Sequence, residues 1–258
     1  MSYDTIIYTF DSNVATITMN RPEVMNGLNE QMRLDLLHAV RRAESEARVL
    51  ILTGIGGAFC SGQDLADSGT AVDLDIERVL REEYEPLLKA IYQCRIPTIA
   101  AVNGAAAGAG ANLALATDIV IASESAFFVQ AFARIGLVPD AGGSYWLPRQ
   151  VGFARAMGAA LFAEKIPAKQ AESWGMIWEA VPDGDFVATV RLRATLLAEG
   201  PTRTYAYIKQ AIRASFDNSL DEQLDLEATL QGKAGKTRDF VEGVMAFMEK
   251  RPANYEGR

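Results

Sequence analysis

One carboxylate stands in an otherwise uncharged, glycine-flanked segment: Asp140, within Ile135-Gly136-Leu137-Val138-Pro139-Asp140-Ala141-Gly142-Gly143-Ser144. An acid in that setting can cap the helix that begins near Ser144, since Asp is a favoured cap residue, or it can move a proton. Upstream, Pro97 leads through five residues fit for a buried strand into Asn103-Gly104, and then into seven positions, 105–111, with no side chain larger than a methyl. Asn112 follows. The pattern reads as strand, tight turn and helix start. There a ligand can approach the main chain, and the first helical N–H groups, at the positive end of the helix dipole, favour an anion or an oxyanion. Small residues also allow close packing of helix on sheet. A second glycine-rich strand end, Gly54-Ile55-Gly56-Gly57-Ala58-Phe59-Cys60-Ser61-Gly62-Gln63-Asp64-Leu65, is of the same kind.

Composition narrows the chemistry. The chain has 258 residues, 49% hydrophobic and 22% charged, enough for one large domain or one domain with an appendage. A net charge of −8 argues against nucleic acid or an anionic membrane as partner, so a phosphorylated ligand needs a local basic patch, for which Arg149, Lys209, Lys250 and Arg251 are candidates. His38 is the single histidine, in a helix-patterned stretch where it reads as a surface or packing residue, and the two cysteines, Cys60 and Cys94, lack metal-ligand spacing. No metal site is expected, and acid–base work falls to carboxylates, Tyr or Lys. Residues 1–4 lack the basic and apolar regions of a signal peptide, and no run approaches the roughly 20 apolar residues of a membrane span, so a cytoplasmic location is expected. Gly104-x-x-x-Gly108-x-Gly110 with Tyr205-x-x-x-Lys209 is similar to the turn and pair of short-chain dehydrogenases. A nucleotide turn, however, follows the first strand of a βαβ unit with an acid about 20 residues on, and here the turn is mid-chain with Asp118 too soon.

The elements that must position these residues follow from periodicity. Residues 4–10 and 14–19 read as a hairpin, with Ala15, Ile17 and Met19 alternating against Thr16 and Thr18. Asn29 is placed to cap a helix with Met32, Leu36, Leu37 and Val40 on one face, and residues 49–53 form a strand apolar on both faces. Residues 64–85 are acidic, but Ile76, Leu80, Tyr84, Leu87 and Ile91 keep a helical period, so most of the charge reads as a solvated face. Residues 66–72 are expected as a mobile loop over a site. Further strands at 119–122 and 127–129 alternate with helices, which indicates a layered α/β core. From residue 153 the pattern is helical. The last three helices, after Gly200-Pro201, carry more apolar residues than an isolated bundle can bury, among them Ile208, Ile212, Leu220, Leu224, Leu226, Val241, Met245 and Phe247. A subunit interface is expected there.

With these pieces in order, the chain resembles the crotonase, or enoyl-CoA hydratase/isomerase, family over essentially its whole length. The matching motifs are Asn20-Arg21-Pro22, GAFCSGQDL (57–65), AVNGAAAGAGAN (101–112), Asp118-Ile119-Val120-Ile121-Ala122, GLVPDAGG (136–143), Trp174-Gly175-Met176-Ile177 and FMEKR (247–251). The resemblance implies an α/β fold with a crotonase-like ββα spiral core (1–200) and a C-terminal helical region (201–258) that builds a homotrimer or a hexamer of paired trimers. It implies an acyl-CoA substrate, with coenzyme A as part of that substrate and no separate cofactor. The thioester oxygen is then held by the main-chain N–H groups of Gln63, after Gly62, and Ala109, after Gly108. By the same analogy Met25, Asn26, Ser61 and Asp64 line the nucleotide and pantetheine, and Phe247 with Lys250 reaches a neighbour's CoA.

Two departures from the family pattern point to the reaction. Where the family's hydratases carry their two glutamates, this chain has Asn112 and Phe132. Neither transfers a proton, so hydration is expected to be weak or absent, and both residues become pocket-lining candidates. The remaining acid is Asp140, at a position used in isomerase branches and, with a histidine base, in a dehalogenase branch; His38 lies in the wrong part of the chain for that base. Among Phe132, Leu137 and Val138 its pKa is expected to rise, which suits a base for the C2 proton. The expected reaction is an isomerisation through a thioester enolate, on 1,2-epoxyphenylacetyl-CoA to give the oxepin or on a 3-enoyl-CoA to give the 2-enoyl-CoA. A general hydratase/isomerase and a catalytically silent acyl-CoA binder are the alternatives.

Overall fold

The computed structural model describes residues 3–65 and 75–258. The mobile loop expected at 66–72 lies outside the described residues. The chain starts as the predicted hairpin, β1 (Ile6–Asp11) and β2 (Val14–Met19), paired antiparallel from Ile6↔Met19 to Asp11↔Val14. Its two-residue loop, Ser12-Asn13, has both residues in the left-handed region (φ 51° and 64°), the turn whose twist matches that of the strands. Ala15, Ile17 and Met19 are fully buried, as the alternation predicts.

Asn29 caps α1 (Glu30–Glu46) by accepting from the Met32 N–H at 2.9 Å. β3 (Val49–Gly54) then runs parallel to β2. After β4 (Ala58–Cys60), the acidic segment forms α2 (Ile76–Val79), which passes through a π-helical turn (Leu80–Tyr84) into α3 (Glu85–Gln93). β5 (Thr98–Val102), β6 (Ala105–Ala107), α4 (Ala109–Leu115), β7 (Ile119–Ser123) and β8 (Phe127–Val129) follow. A 3₁₀ turn (Ala131–Ile135) leads to α5 (Gly143–Val151), α6 (Phe153–Phe162), β9 (Ile166–Pro167), α7 (Ala168–Ser173), β10 (Glu179–Val181) and α8 (Phe186–Ala198).

Among the described residues one sheet has the order β1-β2-β3-β5-β7-β10 and a second the order β4-β6-β8-β9. Each of β3, β5 and β7 in the first sheet is followed by a short strand of the second. This is the ββα repetition that the family resemblance implied. The strand β6 was not visible to the periodicity argument, which read residues 104–110 as one turn. Three alanines carry no alternation, and the strand exists because its backbone pairs with β4 on one side and β8 on the other. In the larger sheet successive residues of β3 face opposite ways. Leu50 and Leu52 pack on Met32, Leu36 and Val40 of α1, whereas Val49 and Ile51 pack with Val190 and Ala194 of α8. Burial on both faces is why β3 is a continuous apolar run.

The C-terminal helices α9 (Thr202–Ala214), α10 (Leu220–Ala234) and α11 (Arg238–Glu249) keep much apolar surface exposed, with Ile212 61%, Leu220 73% and Phe247 84% accessible. Polar clamps join them to the core. Lys209 pairs with Asp118 at 2.6 Å and donates to the Ile96 carbonyl at 2.7 Å, and Arg48 donates to Thr202 Oγ1 and to the Tyr255 carbonyl, each at 3.0 Å. Among the described residues no helix is long and apolar enough to cross a membrane.

Candidate active site

The loop after β4 and the turn before α4 are pressed together. Gly62 adopts φ +92°, and a Cβ there would lie 2.8 Å from the Ala107 carbonyl oxygen and 3.3 Å from the Ala109 nitrogen. Gly110 faces the Cys60 carbonyl so closely that a Cβ could not fit. Gly108, with φ +53°, caps α4, and its own N–H donates to the Val129 carbonyl at 2.8 Å. Glycine is therefore required where the two turns meet. The Gln63 loop is tied from its other side: Leu28 N–H donates to the Gly62 carbonyl (2.8 Å), Asp64 N–H donates to the Leu28 carbonyl (3.1 Å), and Arg33 Nη1 donates to that same carbonyl (2.7 Å).

Gln63, Ala109 and Asp140 line one cavity of about 290 Å³, together with Ser61, Gly62, Gly108, Phe132, Leu137 and the α2–α3 residues Ile76, Val79, Leu80 and Tyr84. The three residues expected to do the chemistry are thus brought together. The lining is mostly apolar, and Asp140 is its one carboxylate among the described residues.

Asp140 sits ahead of two left-handed residues, Ala141 (φ 48°) and Gly142 (φ 82°). Its carbonyl accepts from Gly143 N–H and from Asn112 Nδ2, each at 2.8 Å, so the main chain at the acid is held from two sides. Its Oδ1 is buried and has no hydrogen-bond partner, and burial alone pushes the carboxyl up to about 6. The capping alternative fails: α5 starts at Gly143, its cap is Gly142, and no side chain caps it. Of the three residues expected to raise this pKa, Phe132 and Leu137 line the cavity, whereas Val138 is 78% exposed.

Other expected site residues lie elsewhere. Asn112 is fully buried and absent from the cavity wall; its Nδ2 donates to the Asp140 carbonyl and its Oδ1 accepts from Gln130 Nε2 at 2.8 Å, so it supports the acid instead of lining the pocket. Asn26 is fully buried too, and donates to the carbonyls of Ile55 (3.0 Å) and Ala58 (2.9 Å), which makes it a loop clasp. Asp64 pairs with Arg21 at 2.8 Å and joins the segment after β2 to the loop after β4. Ser61 lines the cavity but its hydroxyl donates to the Val24 carbonyl at 3.0 Å. Met25 is exposed outside the cavity, and Phe247 and Lys250 are exposed at the end of α11, away from its lining. Of the basic candidates, Lys209 is spent on Asp118, Arg251 pairs with Glu242 and Glu249, and Arg149 stacks on Tyr145 at 3.7 Å. With Lys209 committed and Tyr205 packed against Gly200, the dehydrogenase pair does not form.

Residue typing alone missed one network. Tyr84 donates to Gln63 Oε1 at 2.6 Å, Arg33 Nη1 donates to the same atom at 3.0 Å, and Arg33 pairs with Glu83; the side chains of Arg33 and Glu83 are only 4% and 8% exposed. Glu83 is therefore not part of a solvated face. The available signal was a tyrosine on an otherwise aliphatic helical stripe.

The profile of the family described as enoyl-CoA hydratase/isomerase matches residues 9–258. A Rhodobacter capsulatus protein named "Probable enoyl-CoA hydratase" is 62% identical over 258 residues, covering 100% of both chains. The 1,2-epoxyphenylacetyl-CoA isomerase of Escherichia coli is 45% identical over 98% of each chain. The solved structure of an enoyl-CoA hydratase from Bacillus anthracis matches with a TM-score of 0.92 at 30% identity, over 99% of this chain and 100% of that one.

Proposed function

The chain belongs to the enoyl-CoA hydratase/isomerase family, and from that premise we propose that it is an acyl-CoA isomerase in which Asp140 carries a proton along the acyl skeleton. The carrying observation is Asp140, the single carboxylate among the described residues of the cavity wall, buried at Oδ1 and raised to about 6. An acid of that pKa is ionised at neutral pH and a stronger base than a solvated aspartate. Asp140 takes a proton from C2 of the thioester. The main-chain N–H groups of Gln63 and Ala109 hold the oxygen on which enolate charge develops, an arrangement in which one donor is typically worth about 10²–10³ in rate. The same carboxyl then returns the proton farther along: to C4 of a 3-enoyl-CoA, giving the 2-enoyl-CoA, or to a ring carbon as 1,2-epoxyphenylacetyl-CoA rearranges to the oxepin. Each is an isomerisation, with no atom gained or lost.

The name of the Rhodobacter capsulatus relative favours a second reading, a general enoyl-CoA hydratase/isomerase. Water addition needs one group to activate water and another to protonate C2, and the described lining offers one carboxylate. The apolar surface left on α9–α11 supports residues 201–258 as the region that packs subunits into trimers or hexamers, where Phe247 and Lys250 would meet a neighbour's CoA. An acyl-CoA substrate, a metabolite of the cell interior, supports the expected cytoplasmic location.

The experiment is wild type against Asp140→Asn on the epoxide, on a 3-enoyl-CoA and on a 2-enoyl-CoA with water, with folding checked by circular dichroism. Isomerase turnover that disappears in the variant is expected. Unchanged turnover removes Asp140 from the reaction, hydration faster than isomerisation selects the second reading, and binding of acyl-CoA without any turnover makes the protein a silent binder.

A further inference from the structure

Tyr84 is the last residue of the π-helical turn, 4% exposed, and lines the same cavity wall as Asp140. Its hydroxyl donates to Gln63 Oε1, which has a second donor in Arg33 Nη1. An amide oxygen has two lone pairs, so Gln63 stays satisfied by Arg33 when the Tyr84 O–H turns to another acceptor. The other hydroxyl of the described lining, on Ser61, is committed to the Val24 carbonyl, and Arg134, also in the lining, donates to the Ala163 carbonyl. Tyr84 is thus a neutral donor able to change partners inside an apolar acyl cavity.

Resting on the isomerase reading of this cavity, we propose that Tyr84 is a specificity-determining residue that selects acyl groups bearing an ether-type oxygen, a ring epoxide above all, over plain hydrocarbon acyl groups. Burial, only partly opposed by Arg33, holds the phenol well above its ordinary pKa, with Cys60 and Asp140 adding to the rise. A donor so weakly acidic orients an epoxide oxygen without protonating it. That matters because this oxygen keeps both of its bonds to carbon during rearrangement to the oxepin, and a stronger acid would open the ring. A hydrocarbon acyl group presents no acceptor and leaves the hydroxyl on Gln63.

The test uses two inert, nearly isosteric esters, 2-methoxyphenylacetyl-CoA and 2-ethylphenylacetyl-CoA, titrated calorimetrically into wild type and Tyr84→Phe. One neutral hydrogen bond corresponds to a factor of about 5–10. Wild type should favour the methoxy ester by about that factor, and Tyr84→Phe should erase the preference while changing the ethyl ester's affinity less than about twofold. Absence of the preference in wild type, its persistence in the variant, or an equal loss on both esters overturns the proposal; the wild-type ratio decides alone should the variant fail to fold. Turnover of the epoxide and of a 3-enoyl-CoA by wild type is measured alongside, and absence of both would sink the isomerase reading while leaving the affinity ratio to judge Tyr84.

Discussion

Asn112 Nδ2 donates to the carbonyl oxygen of Asp140 at 2.8 Å, joining the helix that carries the Ala109 amide to the turn that carries the acid. The two groups that must face the same acyl chain are therefore spaced by one buried side chain. Asn112→Ala should lower kcat about tenfold or more, because small misplacements of a reacting group are costly, and should shift KM for the acyl-CoA less. It should also cost about 1–3 kcal/mol of stability through the lost buried hydrogen bonds, measured by urea unfolding. A wild-type kcat in a folded Asn112→Ala variant would refute the positioning role.

Asp140 should set the acid limb of the pH profile. Its carboxyl is raised to about 6 by burial, so kcat/KM rises with pH through about 6 and then levels. Its effect on stability runs opposite to that of a salt-bridged aspartate. The folded pKa lies above the unfolded one of about 3.9, so its favourable contribution is complete below pH 4 and disappears as pH rises through 6. Asp140→Asn should be neutral at pH 4 and stabilising by about 1–2 kcal/mol at pH 8, less than a full two-unit shift implies because the group is only half-buried. Equal melting shifts at both pH values would contradict this.

Gly110→Ala forces a methyl against the Cys60 carbonyl, which either strains the core or moves the start of α4 and with it the Ala109 amide. Overpacking of this kind costs about 1–3 kcal/mol, and kcat/KM should fall with it. Gly57→Ala is the matched control. A Cβ there has nothing within 4 Å, and stability should change by no more than about 0.5 kcal/mol.

Arg33→Ala leaves the buried Glu83 with only the half-exposed Arg78, at 3.2 Å, as its partner, and should destabilise by less than the about 3–5 kcal/mol that an unpaired buried charge costs. The double change Arg33→Met with Glu83→Leu should recover most of that, since replacing both members of a buried pair by apolar groups is often close to neutral. Chemical denaturation of the two variants beside wild type checks it. The double variant should still turn over more slowly than wild type, because Gln63 Oε1 has lost the Arg33 donor.

Much of the fold could be read from local pattern. The hairpin, the Asn29 cap, the two-faced strand at Val49–Gly54 and the helices after residue 152 follow from alternation, capping preference and helical period, all of which operate over a few residues. Apart from the strand at Phe127–Val129, the second sheet could not be read this way. Ala58–Cys60 and Ala105–Ala107 have no period of their own and are strands only because each lies beside the other.

The candidate site divides along the same line. Local residue types were enough to single out Asp140, as a lone acid among glycines and apolar residues, and the two glycine turns, as places where main-chain amides can be reached. Tertiary structure alone decided that Asp140 is not a cap, that Asn112 and Asn26 support loops instead of touching a ligand, and that Tyr84, Arg33 and Glu83 belong to the cavity wall and its backing. The reason is physical. A turn or a cap is specified by neighbours along the chain, whereas the partner of a buried polar atom is set by which elements pack together, and here the partners are 28 residues apart for Asn112 and Asp140 and 50 for Arg33 and Glu83.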